Sequence, residues 1–158
     1  MCIPFFLKKG EIPKNLPSGL EKEVKILSKT KSKLECLKKA FKFICDNFYG
    51  KSILFFLKFP RLFVADVFKL WNFRFGVGDG FLHCTQHNFL LRILLIKSKK
   101  FSEEDIRLID YVRRPFGFHQ LLQVNVGGRW IDVDTYFFHS GFSFGSSPGK
   151  WFVFKIIV

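Results

Sequence analysis

Apolar residues recur at helical intervals in two stretches of the chain. Leu34, Leu37, Phe41, Ile44 and Phe48 step by three and four, with Lys38, Lys39 and Lys42 off the stripe, and predict a helix with one core-facing side. Phe89, Leu90, Ile93 and Leu94 follow the same rhythm after Cys84 and predict a second helix that opens at that cysteine. Ser18 with Glu21 reads as a capping box for a helix ending near Leu27, and Asp66 as the N-cap of a short helix through Leu70 and Trp71. Ser102 to Ile109 reads as another short capped helix, with strand character beginning between Leu108 and Val112.

From His119 onward the pattern changes to a period of two. The runs 119–126 and 129–136 flank Gly127-Gly128, a strong signal for a two-residue hairpin turn. A tight turn pairs Val126 with Arg129, and so sets Asn125 opposite Trp130, Val124 opposite Ile131, Gln123 opposite Asp132 and Leu121 opposite Asp134. Leu122, Val124, Val126, Ile131 and Val133 then form the core-facing side. His119 and Asp134 become diagonal neighbours on the other side, at a Cα separation of roughly 7 to 8 Å that an imidazole and a carboxylate can bridge. Asp132 shares their face but lies one pair nearer the turn, so Asp134 is the expected partner. Gly141 to Gly149 reads as loop and Trp151 to Val158 as a final strand.

Cys84, His119 and Asp134 are a thiol, an imidazole and a carboxylate, the groups that acyl transfer through a thioester requires. A cysteine at a helix N-terminus faces unpaired N–H groups and the positive end of the dipole, which favours thiolate. Against this stand plainer readings: an inert buried thiol, a hydrogen-bonded strand histidine, a carboxylate that ends a strand. Neither of the last two accounts for a shared face. Zinc is the sharper competitor, since His83, Cys84, His87, His119 and His139 supply suitable donors and Cys84 and His87 share one helical turn. Their spacing matches no established zinc finger, and a zinc-bound thiol is not a free nucleophile. The expectation is therefore no metal and no cofactor. Gly76, Gly78 and Gly80 lack the Lys-Ser or Lys-Thr of a phosphate loop and read as a flexible approach that brings backbone close to the thiol.

Cys84 opening a Leu-rich helix, followed by His119-x-x-x-x-Val124-x-Val126-x-Gly128-x-Trp130-x-x-Val133-Asp134, resembles the transglutaminase-like superfamily of papain-type thiol enzymes. The resemblance spans about half the chain. It implies Cys84 as nucleophile, His119 as general base and acid, and Asp134 as the group that orients the imidazole. It also implies an α+β fold in which N-terminal helices and the Cys84 helix pack on an antiparallel sheet. By looser analogy with site-lining tryptophans of that family, Trp71 is a candidate for the oxyanion site or substrate wall, and His83 a candidate lining residue. The chain departs from the family pattern in three places. Leu82 and His83 precede the cysteine where a small residue is usual, Thr135 follows the aspartate where proline is frequent, and 97–107 replaces the usual Gly-Ile-Pro-Ala-Arg stretch.

The chain has 158 residues, 48% of them hydrophobic and 23 of them phenylalanine, which excludes a disordered polymer and fits one domain with a proper core. Residues 1–17, basic and punctuated by proline, read as an extended arm; 18–158 read as a single domain, helical over 18–75 and catalytic over 76–158. The net charge of +13 favours an anionic partner, yet no nucleic-acid motif accompanies it and nucleic acid is not the expected ligand. No apolar run approaches the roughly 20 residues of a membrane span. Cys2, Cys36, Cys45 and Cys84 show no paired spacing, so reduced thiols and a cytoplasmic location are expected. The combined expectation is a thiol enzyme cleaving or transferring amide or other acyl groups of a protein or peptide. The alternatives are an inactive binding module with a basic surface, or a Cys/His zinc domain.

Overall fold

The helical and alternating patterns meet in a mixed α+β arrangement in the computed structural model, which describes residues 10–50, 55–113, 117–146 and 154–157. Cys2, the first nine residues of the basic arm and the start of the final strand at Trp151 lie outside the described residues.

Helices α1 (Ser18–Ser28) and α2 (Lys33–Asn47) come first. The expected capping box at Ser18 is not made: Ser18 is already helical, Pro17 holds the N-cap position, and its carbonyl accepts the Glu21 N–H at 3.0 Å. The real side-chain cap is Ser32, whose hydroxyl accepts the Glu35 N–H at 3.1 Å and starts α2. Leu37, Phe41 and Ile44 of the α2 stripe are buried, as is Phe48 just beyond it. After a 3-10 segment, Phe55–Phe63, Asp66 caps the short helix α3 (Val67–Asn72) as expected, its carboxylate accepting the Lys69 N–H at 2.8 Å.

Helix α4 (Cys84–Lys97) is buried nearly all round, from Leu90 and Leu91 to Ile93, Leu94 and Leu95. A one-sided stripe would suit a surface helix; this one is the centre of the fold, with α1 and α2 on one side and the sheet on the other. Its one buried guanidinium, on Arg92, is matched by a two-point contact with Glu103 (Nε–Oε2 3.0 Å, Nη2–Oε1 2.8 Å) and by the Gly10 carbonyl at 2.5 Å. Lys97 donates to the Lys14 carbonyl at 3.1 Å, and Leu16 is buried. The described part of the N-terminal arm is thus laid along α4.

The expected helix from Ser102 to Ile109 contracts to one 3-10 turn, Glu103–Asp105, closed by Asp105 accepting the Ser102 N–H at 3.0 Å. Strand pairing overrides it. Strand β1 (Ile106–Arg113) runs antiparallel to β2 (Gly117–Val126) over eight pairs, from Ile106 with Val124 to Arg113 with Gly117. Strand β3 (Arg129–Val133) pairs with β2 in the expected register, from Val126 with Arg129 to Leu122 with Val133. Gly127 and Gly128 both have positive φ, 61° and 83°, the geometry that a two-residue primed turn needs. Strand β4 (Phe154–Ile157) adds to the far side of β1, giving the order β3-β2-β1-β4. Leu122, Val124 and Val133 enter the main core, while Ile109, Tyr111 and Leu121 form a second small cluster on the opposite face.

Candidate active site

The thiol is presented by a tightly fastened helix start. Phe81 bridges Tyr49 at the end of α2: the Tyr49 N–H donates to the Gly80 carbonyl at 2.8 Å and the Leu82 N–H to the Tyr49 carbonyl at 3.1 Å. Gly80 has φ of 78° and packs so closely under the Phe75 ring that a side chain there would collide with it. Far from being loose, the glycine approach is pinned. His83 is the extended N-cap residue of α4; its backbone N–H donates to Gln86 Oε1 at 3.1 Å and its Nε2 to the Lys58 carbonyl at 3.0 Å. Gln86 Nε2 reaches back to the carbonyls of Arg61 (2.5 Å) and Val64 (2.9 Å), so the 3-10 segment is fastened to the first turn of α4. Burial pushes the His83 imidazole down from its ordinary range, with the Lys58 carbonyl opposing and the Arg61 charge adding to the effect.

Cys84 is the first residue of α4 and is partly exposed. Its backbone N–H is one of the orphan donors of a helix start. His119 lies three residues before the last β2–β3 pair, where β3 has already left the ladder. The chain leaving β3 carries Asp134 back, and His119 Nε2 meets Asp134 Oδ2 at 2.7 Å, with both side chains almost wholly buried. With Nε2 engaged by the carboxylate, Nδ1 is the nitrogen left to face the Cys84 thiol, which lies near enough to act on the ring electrostatically. The His119–Asp134 contact expected from the hairpin is therefore present, but the ladder ends at Leu122 with Val133, so the expected Leu121–Asp134 pair is not made and the chain after β3 supplies the approach. Asp132 instead accepts from Gln123 Nε2 within its own cross-strand pair.

Electrostatics at the imidazole are a contest that the anions win. Burial, the largest single influence, lowers its pKa, but the hydrogen bonds and charges of Asp134 and Cys84 together raise it to about 10. At neutral pH the arrangement favours imidazolium. The other described thiols differ. Cys36 is buried against Ser98, and burial pushes it up; Cys45 is buried against the Thr135 carbonyl and is raised to about 12, by burial and then by Asp46 and Asp134.

Several flanking residues join the site in ways that the sequence pattern does not specify. His87, one turn along α4 from Cys84, is wholly buried and binds Thr135 Oγ1 through Nδ1 at 3.1 Å. Its Nε2 faces the Tyr49 backbone without a well-formed hydrogen bond, and burial lowers its pKa to about 3, leaving it neutral. Thr135 follows Asp134 directly, so His87 braces the segment that carries the carboxylate. Phe137 and Tyr136 pack their rings on His119, at centroid distances of 4.7 and 5.6 Å. The Phe137 N–H also donates to Asp134 Oδ1 at 3.4 Å.

Trp71 sits in the helical layer, stacked on Phe43 at 5.8 Å and edge-on to Phe48 at 6.1 Å, with Gly19 pressed against its ring and the Arg74 guanidinium over it. Its described contacts lie there and do not include Cys84, His119 or Asp134. His83 adjoins the thiol in sequence, but its ring turns toward Phe81 and Lys58. His139 donates to the Cys45 and Phe48 carbonyls at the end of α2. Among the described residues no group of three or more His, Cys, Asp or Glu side chains is placed to share a metal ion. Nor is any helix among them long and apolar enough to cross a membrane. No known protein family, curated protein or solved structure matches the chain.

Proposed function

We propose that the chain is a transglutaminase-like thiol enzyme of papain type, acting on amide or other acyl groups of a protein or peptide. One observation carries this reading: the buried His119 ring is bonded to Asp134 at 2.7 Å and has the Cys84 thiol, at the start of α4, as its other electrostatic neighbour. His119 takes the thiol proton, and the imidazolium so formed is stabilised by Asp134. The thiolate attacks the acyl carbon, a C–S bond forms, and the carbonyl π pair moves to oxygen, where the Cys84 backbone N–H at the helix start receives it. The intermediate collapses as the C–N bond breaks, and His119 returns its proton to the departing amine. Water or a second amine then attacks the thioester, gives its proton to His119 and frees the thiolate. A reducing, cytoplasmic setting suits this chemistry, and the three described cysteines are all unpaired. The basic surface supplies attraction for an acidic partner.

The test is a burst experiment with p-nitrophenyl acetate near pH 7. One equivalent of p-nitrophenolate should be released rapidly, intact mass should show a single acetyl group on Cys84, and Cys84→Ala should abolish both. A wild-type protein with no burst and no acetyl-Cys84 would refute the reading.

A further inference from the structure

An oxyanion site formed by one backbone N–H is incomplete, because a tetrahedral oxyanion in a site of this kind is ordinarily met by two donors. The polar side chains around the start of α4 narrow the choice of the second. Both amide bonds of Gln86 go to the Arg61 and Val64 carbonyls, and His83 Nε2 is engaged by the Lys58 carbonyl. The Asn88 amide is directed to Gln120, and Tyr49 is turned toward Lys58, Phe75 and Phe81. Tyr136 differs from all of these. Its ring lies against His119 at 5.6 Å and against His87 at 5.8 Å, and so occupies the space between the imidazole that faces the thiol and the first turn of α4. Its hydroxyl has no hydrogen-bond partner among the described residues, and the side chain is half-buried, not sealed. The seat is specific: at Gly50 any side chain would collide with the Tyr136 carbonyl and ring.

We propose that the Tyr136 hydroxyl is a further catalytic group, the side-chain donor that joins the Cys84 backbone N–H in holding the oxyanion formed when Cys84 attacks an acyl carbon. This rests on the thiol-enzyme reading above. Tyr136 donates a hydrogen bond and keeps its proton throughout. Burial, followed by the nearby Cys84 and Asp134 charges, raises the phenol pKa and so keeps it a neutral O–H donor. The bond it makes is needed only while negative charge stands on the acyl oxygen. Its effect should therefore appear in reactions that pass through a tetrahedral intermediate and be missing from those that do not.

Two reagents separate these cases. Iodoacetamide alkylates a thiolate by displacement at an sp³ carbon and forms no oxyanion, whereas p-nitrophenyl acetate acylates it through one. Rates at Cys84 are measured for wild type, Tyr136→Phe and Thr85→Val, the last because the Thr85 hydroxyl adjoins the thiol in sequence. Tyr136→Phe keeps the ring and its packing. It should leave alkylation and its pH profile within about twofold of wild type while slowing acylation about 10- to 100-fold, and Thr85→Val should change neither. The proposal is overturned if Tyr136→Phe slows both reactions equally, which would mark a structural or thiolate-positioning role, if it slows neither, or if Thr85→Val produces the selective loss. A wild-type Cys84 that gives no acetyl burst would overturn the underlying thiol-enzyme reading, an outcome visible before any variant is compared.

Discussion

Replacing Asp134 with asparagine removes one charge from a buried pair while keeping its shape. In the native protein burial alone would take His119 below its ordinary 6.5, and the carboxylate and thiol carry it to about 10. A group titrating near 10 is protonated about a thousand to one at pH 7. Without the carboxylate, burial faces only the thiolate, and imidazolium ceases to be the dominant form at neutrality; each tenfold loss corresponds to ~1.4 kcal/mol. With less imidazolium beside the thiol, iodoacetamide labelling of Cys84 at pH 7 should slow by about tenfold or more. Asparagine still offers an acceptor oxygen to the ring, and the cost to folding should be only ~1–3 kcal/mol. Asp132→Asn, which disturbs the Gln123 bond and leaves the His119–Asp134 pair in place, should label at nearly the native rate. An NMR titration should place His119 near 10 in wild type and well below that in Asp134→Asn. The sign for stability follows from the raised pKa. The pair's contribution is fully present below about 6.5 and is lost as pH rises through about 10, so the stability gap between wild type and Asp134→Asn should close over that window. Equal effects of the two asparagine variants, or undiminished labelling in Asp134→Asn, would refute the reasoning.

Cys84 should be the one fast-labelling thiol among Cys36, Cys45 and Cys84; peptide mass spectrometry showing Cys36 or Cys45 alkylated as fast near pH 6 would contradict the burial that raises both. Asp79 shows the opposite pH dependence. Burial raises its pKa, but the Arg61 bond at 2.6 Å, the Phe81 N–H and Lys58 outweigh this and hold it at about 2. Its contribution to the 3-10 segment is present above the ordinary carboxylate value and should fade as pH falls through about 2, with amide exchange at 58–64 accelerating in acid and in Asp79→Asn even at neutrality. Leu94→Ala, in the middle of α4, should cost ~2–5 kcal/mol in denaturant melts, and a cost below ~1 kcal/mol would mean the helix is not the centre of the core.

The hairpin is legible in the sequence because its information is local. A Gly-Gly turn and alternating residues set the register as far as Leu122 with Val133, and the chain leaving β3 at that point carries Asp134 back to His119. The α3 cap at Asp66 and the α2 stripe are of the same local kind. Where the fold departs from the local signals, distant segments have outweighed them. Ser102 to Ile109 has a good capping signal, yet β1 pairs along its full length with β2, and those eight cross-strand pairs outweigh one turn of helix. Trp71 is a site candidate by analogy only, and its indole is stacked against Phe43 in the helical layer. The bracing of Asp134 by His87 through Thr135 joins residues 48 positions apart and leaves no periodic trace.

What the sequence by itself determined is therefore the hairpin register, the amphipathic α2, the cysteine at a helix start and the shared face of the imidazole and carboxylate, all governed by contacts between near neighbours or across one turn. Only the tertiary structure decided that the thiol meets that face, that the helix bearing it is enclosed on all sides, and that Tyr136 is seated over Gly50 beside His119. Those placements depend on how α4, the end of α2 and the chain after β3 pack together. Packing is a sum of weak contacts between distant segments, and no stretch of a dozen residues contains it.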